Sequence, residues 1–439
     1  MCRLKSLVQK VVVLALAVVA VSAQPLDGEE NPVRFGPIST FPPEDVPYKT
    51  HQVLQSAEKL YELLGLLLAA LVMLIASGTT IEGGAVLDAV FILVLKLGPN
   101  EAIPLASVTV FGGAVCDFCL NFLRKTVNSN DALIDWDFVL MVQPMLLMGT
   151  VFGASITSWF STWLFLVALI VYLAYIGKNV FKKARTVGHE EGWSCCSRSG
   201  SMSLLGAPSL QSQSGGDDLL SSARIPWRKV GTNFGLFAAT VLLTALQGGK
   251  YFPSPLGIPP TSIFSLLVSM LPFFFLSVVS HYQMKGVVAT YQRQQDPRFI
   301  LAPNEVQWSM DTIRKLPLHL LGIGAAGGAF GVGSEEAMSR LLRGVNFTPA
   351  AVSSMAATAV FFVSGMASFS FFLWGKLDLN LAKFLMPLGF MMTLLGRLCL
   401  SKLARESSSR MLLLVAIIAA LVVSVVPLSF MVLQRLFGF

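Results

Sequence analysis

The sequence predicts an all-α, polytopic helical membrane protein built from two repeats of opposite orientation, with broken or half-length helices. Three observations carry that prediction. Of 439 residues, 54% are hydrophobic and only 13% are charged, and the mean hydropathy is +0.68. A water-soluble domain carries about 25% charged residues. Apolar runs near 20 residues long recur along the chain, the length needed to cross the hydrocarbon core of a bilayer. A set of Gly, Pro and Asp residues recurs in the same order in both halves.

The first 23 residues have the three-part pattern of a secretory signal. Arg3, Lys5 and Lys10 precede the apolar stretch Val11 to Val21, and Val21-Ser22-Ala23 supplies small residues at the cleavage positions. An uncleaved signal anchor is the alternative. Residues 24–58, rich in proline, are expected on the lumenal or extracellular side.

Helices are predicted over 60–80, 84–98, 99–123, 137–157 and 159–181, making residues 59–181 a first transmembrane repeat. A Ser/Gly-rich loop over 182–228 follows. The helices over 229–249 and 262–285 belong to a linking region, 229–304. Those over 307–327, 329–344, 347–374, 380–401 and 411–434 make up a second repeat, 305–439. The second and ninth segments are short and read as broken or half-helices. If all twelve cross, one side carries 20 Lys and Arg against eight on the other. Basic residues concentrate on the cytosolic side, so the 182–228 loop is expected there. The same bias accounts for the net charge of +7 without nucleic-acid binding. The expected location is a multi-pass insertion in the plasma membrane or an endomembrane organelle, reached by the secretory pathway.

The repeat is visible as Gly83-Gly84-Ala85, Pro99, Ala106, Asp135, Pro144 and Gly153 against Gly327-Gly328-Ala329, Pro349, Ala356, Asp378, Pro387 and Gly396. The first three residues are offset by 244, Pro99 to Ala106 by 250, and the rest by 243. On the alternating topology the two copies insert upside down relative to each other, a plan in which the site lies where interrupted helices meet near the midplane.

These blocks resemble the TauE/SafE family of sulfite and organosulfonate exporters. The resemblance is carried by residues 98–107 (GPNEAIPLAS) running on to Phe111-Gly112-Gly113, by 133–137 (LIDWD), and by 143–149 (QPMLLMG). In the second half it is carried by 321–328 (LGIGAAGG) and 348–353 (TPAAVS). The chain departs from the family pattern in its reduced glycine run at 78–84 and at Gln143, where an acidic residue is common. The resemblance implies a secondary carrier for a small anion such as sulfite or an organosulfonate, working by alternating access. A transport-inactive scaffold or receptor that kept the fold is the alternative.

Glycine pairs let helices approach or unwind, and exposed N–H groups at a helix start attract anions. Gly83, Gly84, Gly327, Gly328 and Gly331 are therefore substrate-binding candidates, with Pro99, Pro349, Ser107, Ser353, Ser354 and Thr358 supplying helix starts and hydroxyls. Ionisable residues inside apolar runs are functional suspects. Glu82, Asp117 and His319 are candidates for proton coupling, and Lys96 and Arg397 for attracting the anion. Glu335 and Glu336 are expected to face a loop or a water-filled vestibule.

The partners expected are a small anionic substrate and the lipid bilayer, with no nucleic acid, no cofactor and no metal. The sequence leaves the oligomeric state open. Cys116 and Cys119 lack a second ligand pair and read as helix residues. Gly322-x-Gly324-x-x-Gly327 lies in an apolar helix, not in the strand–turn–helix unit a dinucleotide site needs. No phosphate-binding Gly-x-x-x-x-Gly-Lys-[Ser/Thr] loop and no paired catalytic residues occur, so an enzyme is not expected.

Overall fold

The computed structural model describes residues 48–77, 83–122, 124, 133–157, 162–190, 226–249, 254–255, 263–294, 310–331, 334–345, 347–403 and 429. The expected signal segment, Glu82, most of the 182–228 loop and nearly all of the expected last helix lie outside them.

Among the described residues the chain is all-α, with eleven helices. They are α1 (Tyr48–Ser77), α2 (Gly84–Leu93), α3 (Pro99–Phe122), α4 (Trp136–Ile156), α5 (Thr162–Glu190), α6 (Trp227–Leu246), α7 (Ile263–Gln294), α8 (Met310–Phe330), α9 (Ser334–Arg343), α10 (Pro349–Leu373) and α11 (Leu379–Leu403). Six of them, α3, α4, α6, α7, α10 and α11, are long and apolar enough to cross a membrane. The chain is a polytopic membrane protein.

Some boundaries differ from those expected. α1 begins at Tyr48, α5 runs to Glu190 and α7 to Gln294, because polar residues with good helix propensity extend an apolar core that hydropathy alone cuts short. α2 ends at Leu93, where Val90 O and Phe91 O accept from the amides of Val94 and Leu97, and Lys96 takes a left-handed φ of 54°. α2 and α9, at ten residues each, are about 15 Å long, half a hydrocarbon core.

Gly83 and Gly84 are the N-cap and first residue of α2. Gly327 and Gly328, expected at the equivalent place, instead lie in the last turn of α8. α9 itself begins at Ser334. Pro99 and Pro349 each open a helix, α3 and α10.

Packing places α3 and α10 at the centre. Buried residues make up 72% and 83% of their apolar windows, against 22% to 28% for α6, α7 and α11. α4 packs along α8 and α10, and α11 along α1 and α3. Two apolar clusters result, one around α1, α2, α3 and α5, the other around α4, α6, α7, α8 and α9. α10 contributes to both, and the Phe118 and Phe361 rings, stacked at 4.8 Å, join α3 to α10.

Three close approaches between long helices are glycine-lined among the described residues. Gly149, Gly153, Gly324 and Gly328 bring the α4 and α8 backbones together. Gly112, Gly113 and Gly389 do the same for α3 and α11, and Gly396 lets α11 approach Leu74 and Ser77 of α1. In lipid, helix association depends on such close van der Waals contact.

Prolines 104, 144, 272, 317 and 387 lie inside helices. Neighbouring helices and hydroxyl groups make such interruptions tolerable at membrane depth.

α4 is started by Asp135, whose Oδ1 accepts from the amides of Asp137 at 3.0 Å and Phe138 at 3.2 Å. Burial raises the pKa of this carboxyl, and the two amide bonds oppose that rise. Asp135→Ala is expected to cost about 1 kcal/mol, read as a lower melting temperature of the purified protein. An unchanged melting curve would show that the cap contributes nothing.

Candidate functional site

α1 ends at Ser77, whose hydroxyl donates to Leu74 O at 2.7 Å. Beside it begins α2, capped by Gly83, and close by begins α9, with Glu335 in its first turn. α3, α10 and α11 pass this convergence and line a half-open cavity of about 50 Å3. At roughly 10–15 Å3 per water in the same measure, it has room for three to five waters or one small oxyanion. Ser77, Gly83, Gly113, Asp117, Glu335 and Thr393 are its polar or bare positions, and Met73, Ala357 and Val360 are among its apolar ones. Gly113 matters for the space. A Cβ there would stand 2.7 Å from both Met73 Cε and Thr393 Oγ1.

Asp117 on α3 meets Arg397 on α11 at the cavity. Nε of Arg397 donates to Oδ1 of Asp117 at 2.7 Å, with the two side chains 23% and 18% exposed respectively. An intramembrane charge is costly unless paired, and such pairs mark ion or substrate paths. The positions fall together because Gly113 and Asp117, and Thr393 and Arg397, lie four residues apart on helices running side by side in the same direction. Glu335 and Arg124 lie close enough to act on this pair electrostatically. Arg124, just beyond the end of α3, is held below the usual guanidinium range by burial first and by the Arg397 charge second.

No family model matches the chain, and no solved structure matches it. Plant proteins do. The chain is 22% identical over 365 residues to the sulfite exporter TauE/SafE family protein 1 of Arabidopsis thaliana, covering 81% of this chain and 80% of that one. It is 24% identical over 350 residues to family protein 5 of the same plant, covering 76% and 75%. This chain is a distant relative of the plant TauE/SafE proteins. Because the similarity runs over three quarters or more of both chains, it is not carried by one motif.

Of the residues expected at a site, Gly83 and Asp117 line the cavity, and Arg397 reaches it through Asp117. Ser107 and Gly331 come together elsewhere. The Ser107 hydroxyl is fully buried, has no hydrogen-bond partner among the described residues, and lies against Gly331, which turns the chain from α8 towards α9 at a φ of 66°. Gly327 faces Val363 and Ser334 of neighbouring helices, while Gly328 packs on the Thr150 backbone. Gly84 is buried in the first turn of α2.

Thr358 donates its hydroxyl to Ser354 O at 2.8 Å and both residues are buried, so the Thr358 proton stays within α10. Ser353 is half-buried on the same helix. Lys96 is exposed at the opposite end of α2 from Gly83. His319 is exposed on α8, its Nδ1 2.8 Å from Lys315 O. These last two lie away from the cavity.

The structure adds Ser77, Met73, Thr393 and Ala357, whose types carry no signal in the sequence. It also separates the two neighbouring glutamates. Glu335 lines the cavity, whereas Glu336 is buried and within 3.7 Å of Arg343 and 4.0 Å of Arg340. Gln143 lies away from this cavity, donating from Nε2 to Asn233 O at 3.0 Å between α4 and α6. Among the described residues no group of three His, Cys, Asp or Glu could hold a metal ion.

One further cation is set by tertiary structure. Lys376, in the turn between α10 and α11, donates to Thr157 Oγ1 at 2.9 Å, and burial lowers its pKa to about 8. The unfolded chain therefore binds more protons there between pH 8 and about 10.5, so stability rises with pH across that window and levels off below pH 8, where both states are protonated. Lys376→Met is expected to flatten this part of the melting temperature–pH curve. A slope equal to that of the unaltered protein would refute the assignment.

Proposed function

We propose that the protein is a secondary carrier for a small anion, the cavity beside Asp117 and Arg397 being part of its path. The observation that carries this reading is the paired intramembrane arginine at a cavity where one helix ends and two short helices begin. Distant relationship to proteins named sulfite exporters supports a transport role, with sulfite or an organosulfonate as the substrate class to try first.

An inverted repeat with alternating access suits the packing. α1 to α4 and α8 to α11 each contain a ten-residue second helix followed by a helix opened by proline. Their cross-pairings also correspond, since α4 packs on α8 and α10 as α11 packs on α1 and α3. Two such units rocking against each other would expose a central site to either side in turn. The start of α2 at Gly83 and the Thr393 hydroxyl would hold the anion by donors, and Arg397 would supply charge.

The small cavity volume favours a second reading, a transport-inactive scaffold. Efflux of radiolabelled sulfite and methanesulfonate from liposomes holding the purified full chain separates the two. A carrier empties the vesicles faster than protein-free controls. Equal rates for both anions, together with no thermal stabilisation by either, would reject the carrier.

A further inference from the structure

The partner that Arg397 has in this structure is itself an anion. Resting on the carrier reading above, we infer that Asp117 occupies Arg397 in place of the transported anion, and that the anion displaces it only when Asp117 takes up a proton. The protein is then a proton–anion symporter, with Asp117 as the coupling residue.

The argument is one of charge. Arg397 meets Asp117 directly at 2.7 Å, and a second carboxylate, Glu335, lines the same cavity. An anion that takes the guanidinium leaves Asp117 ionised, without its hydrogen-bond partner and in the same cavity as the Glu335 carboxylate, with Arg124 beyond the helix end as the remaining nearby cation. Desolvation and like-charge repulsion both disfavour that arrangement, and one proton removes both penalties. The guanidinium keeps its charge throughout, since it does not deprotonate in proteins.

The other groups facing Asp117 come from the helices packed around it. α11 presents Arg397 and the uncharged Thr393, and α9 presents Glu335. Cys116 and Cys119 are its neighbours on α3, with Arg124 beyond the helix end. Among the described residues, α1 and α10 give the cavity Met73, Ala76, Ser77, Ala357 and Val360, none of which titrates. Among the described residues at the cavity, Asp117 is the carboxylate hydrogen-bonded to the arginine and so the one that anion binding must release.

The cycle balances. One monovalent anion and one proton enter from the same side, the proton from water onto the Asp117 carboxyl and the anion onto Arg397. Both leave on the other side, and the Arg397–Asp117 pair re-forms. No net charge crosses.

The test uses the full chain in liposomes with the membrane potential clamped at zero, and methanesulfonate as the probe because it does not itself titrate near neutral pH. An inward proton gradient of one pH unit should drive about tenfold accumulation of the radiolabelled anion, the limit for one proton per anion. A trapped pH dye should acidify as an inward anion gradient is applied. Asp117→Asn should lose both the accumulation and the acidification while still passing anion downhill, and Asp117→Glu should restore coupling.

Downhill transport by the unaltered protein with no accumulation and no dye response would overturn the inference and leave the carrier reading standing. Accumulation by Asp117→Asn would also overturn it. Absence of any movement of methanesulfonate or sulfite by the unaltered protein would instead remove the carrier reading, and the inference with it. The dye measurement on the unaltered protein decides the matter even if the variants do not fold.

Discussion

Gly328→Val is expected to keep the chain from reaching its folded state. A Cβ at this position would sit 2.8 Å from both the carbonyl carbon and the Cα of Thr150, which are backbone atoms of a neighbouring helix. Flexible side chains can yield to an added methyl, but a helix backbone held on both sides cannot. Overpacking costs about 1–3 kcal/mol where neighbours can shift, and more is expected here. The whole α4–α8 contact is built this way, with Gly149, Gly153 and Gly324 against the facing backbone. In lipid this close approach stands in for the hydrophobic drive that holds soluble helices together. The measurement is the yield of monodisperse protein after detergent extraction, with its melting temperature. Gly322 provides the control on the same helix, because a Cβ there meets nothing within 4 Å. Gly322→Ala is expected to be neutral or to stabilise by up to about 1 kcal/mol, the helix-propensity gain. Equal behaviour of the two variants would show that the α4–α8 contact is not the close one described.

Arg397→Gln is expected to destabilise the fold more than removal of both charges does. Breaking a buried ion pair from one side leaves the other charge uncompensated, at about 3–5 kcal/mol. With roughly a fifth of each side chain exposed, the lower end applies. Combining Arg397→Gln with Asp117→Asn removes the orphaned charge, so the double variant should melt above the Arg397→Gln single variant. A double-mutant cycle measured by thermal melting in one detergent would give the coupling, expected at about 2 kcal/mol. Additive effects would mean that the two groups do not interact in solution, and the charge argument at the cavity would fail. Arg397→Gln and the double variant should both lose anion transport whichever way their stability moves, because the guanidinium is also the anion-attracting group, whereas Asp117→Asn alone should keep downhill transport.

The helical membrane class was legible in composition and run length, and the interruptions in glycine and proline positions. Pro99 and Pro349 do open helices, and the short segments beginning near residues 84 and 330 are short in the structure. The pairing of Gly83-Gly84 with Gly327-Gly328 did not survive. Similar tripeptides lie at a helix start in one half and inside a helix end in the other. A glycine pair suits both a cap and a close helix contact, so its identity cannot tell the two apart. Comparable ambiguity affected the ionisable residues. His319, Lys96 and Asp117 all interrupt apolar runs, yet only Asp117 turns to the cavity. The central helices α3 and α10 are apolar nearly all round, so their composition marks no face that would show which way a given side chain points.

By itself the sequence determined that this chain is helical and needs a bilayer, because that depends on local hydropathy and run length; of the twelve segments it offers, six among the described residues are long and apolar enough to cross. Tertiary structure alone decided that Asp117 and Arg397 meet and that Thr393, Ser77 and Glu335 join them around one cavity. It also decided that Ser107 turns to Gly331 instead. The physical reason is that a contact across 280 residues is set by which helices pack and in what register, and that register is chosen by glycine-lined backbone contacts whose partners no local pattern names.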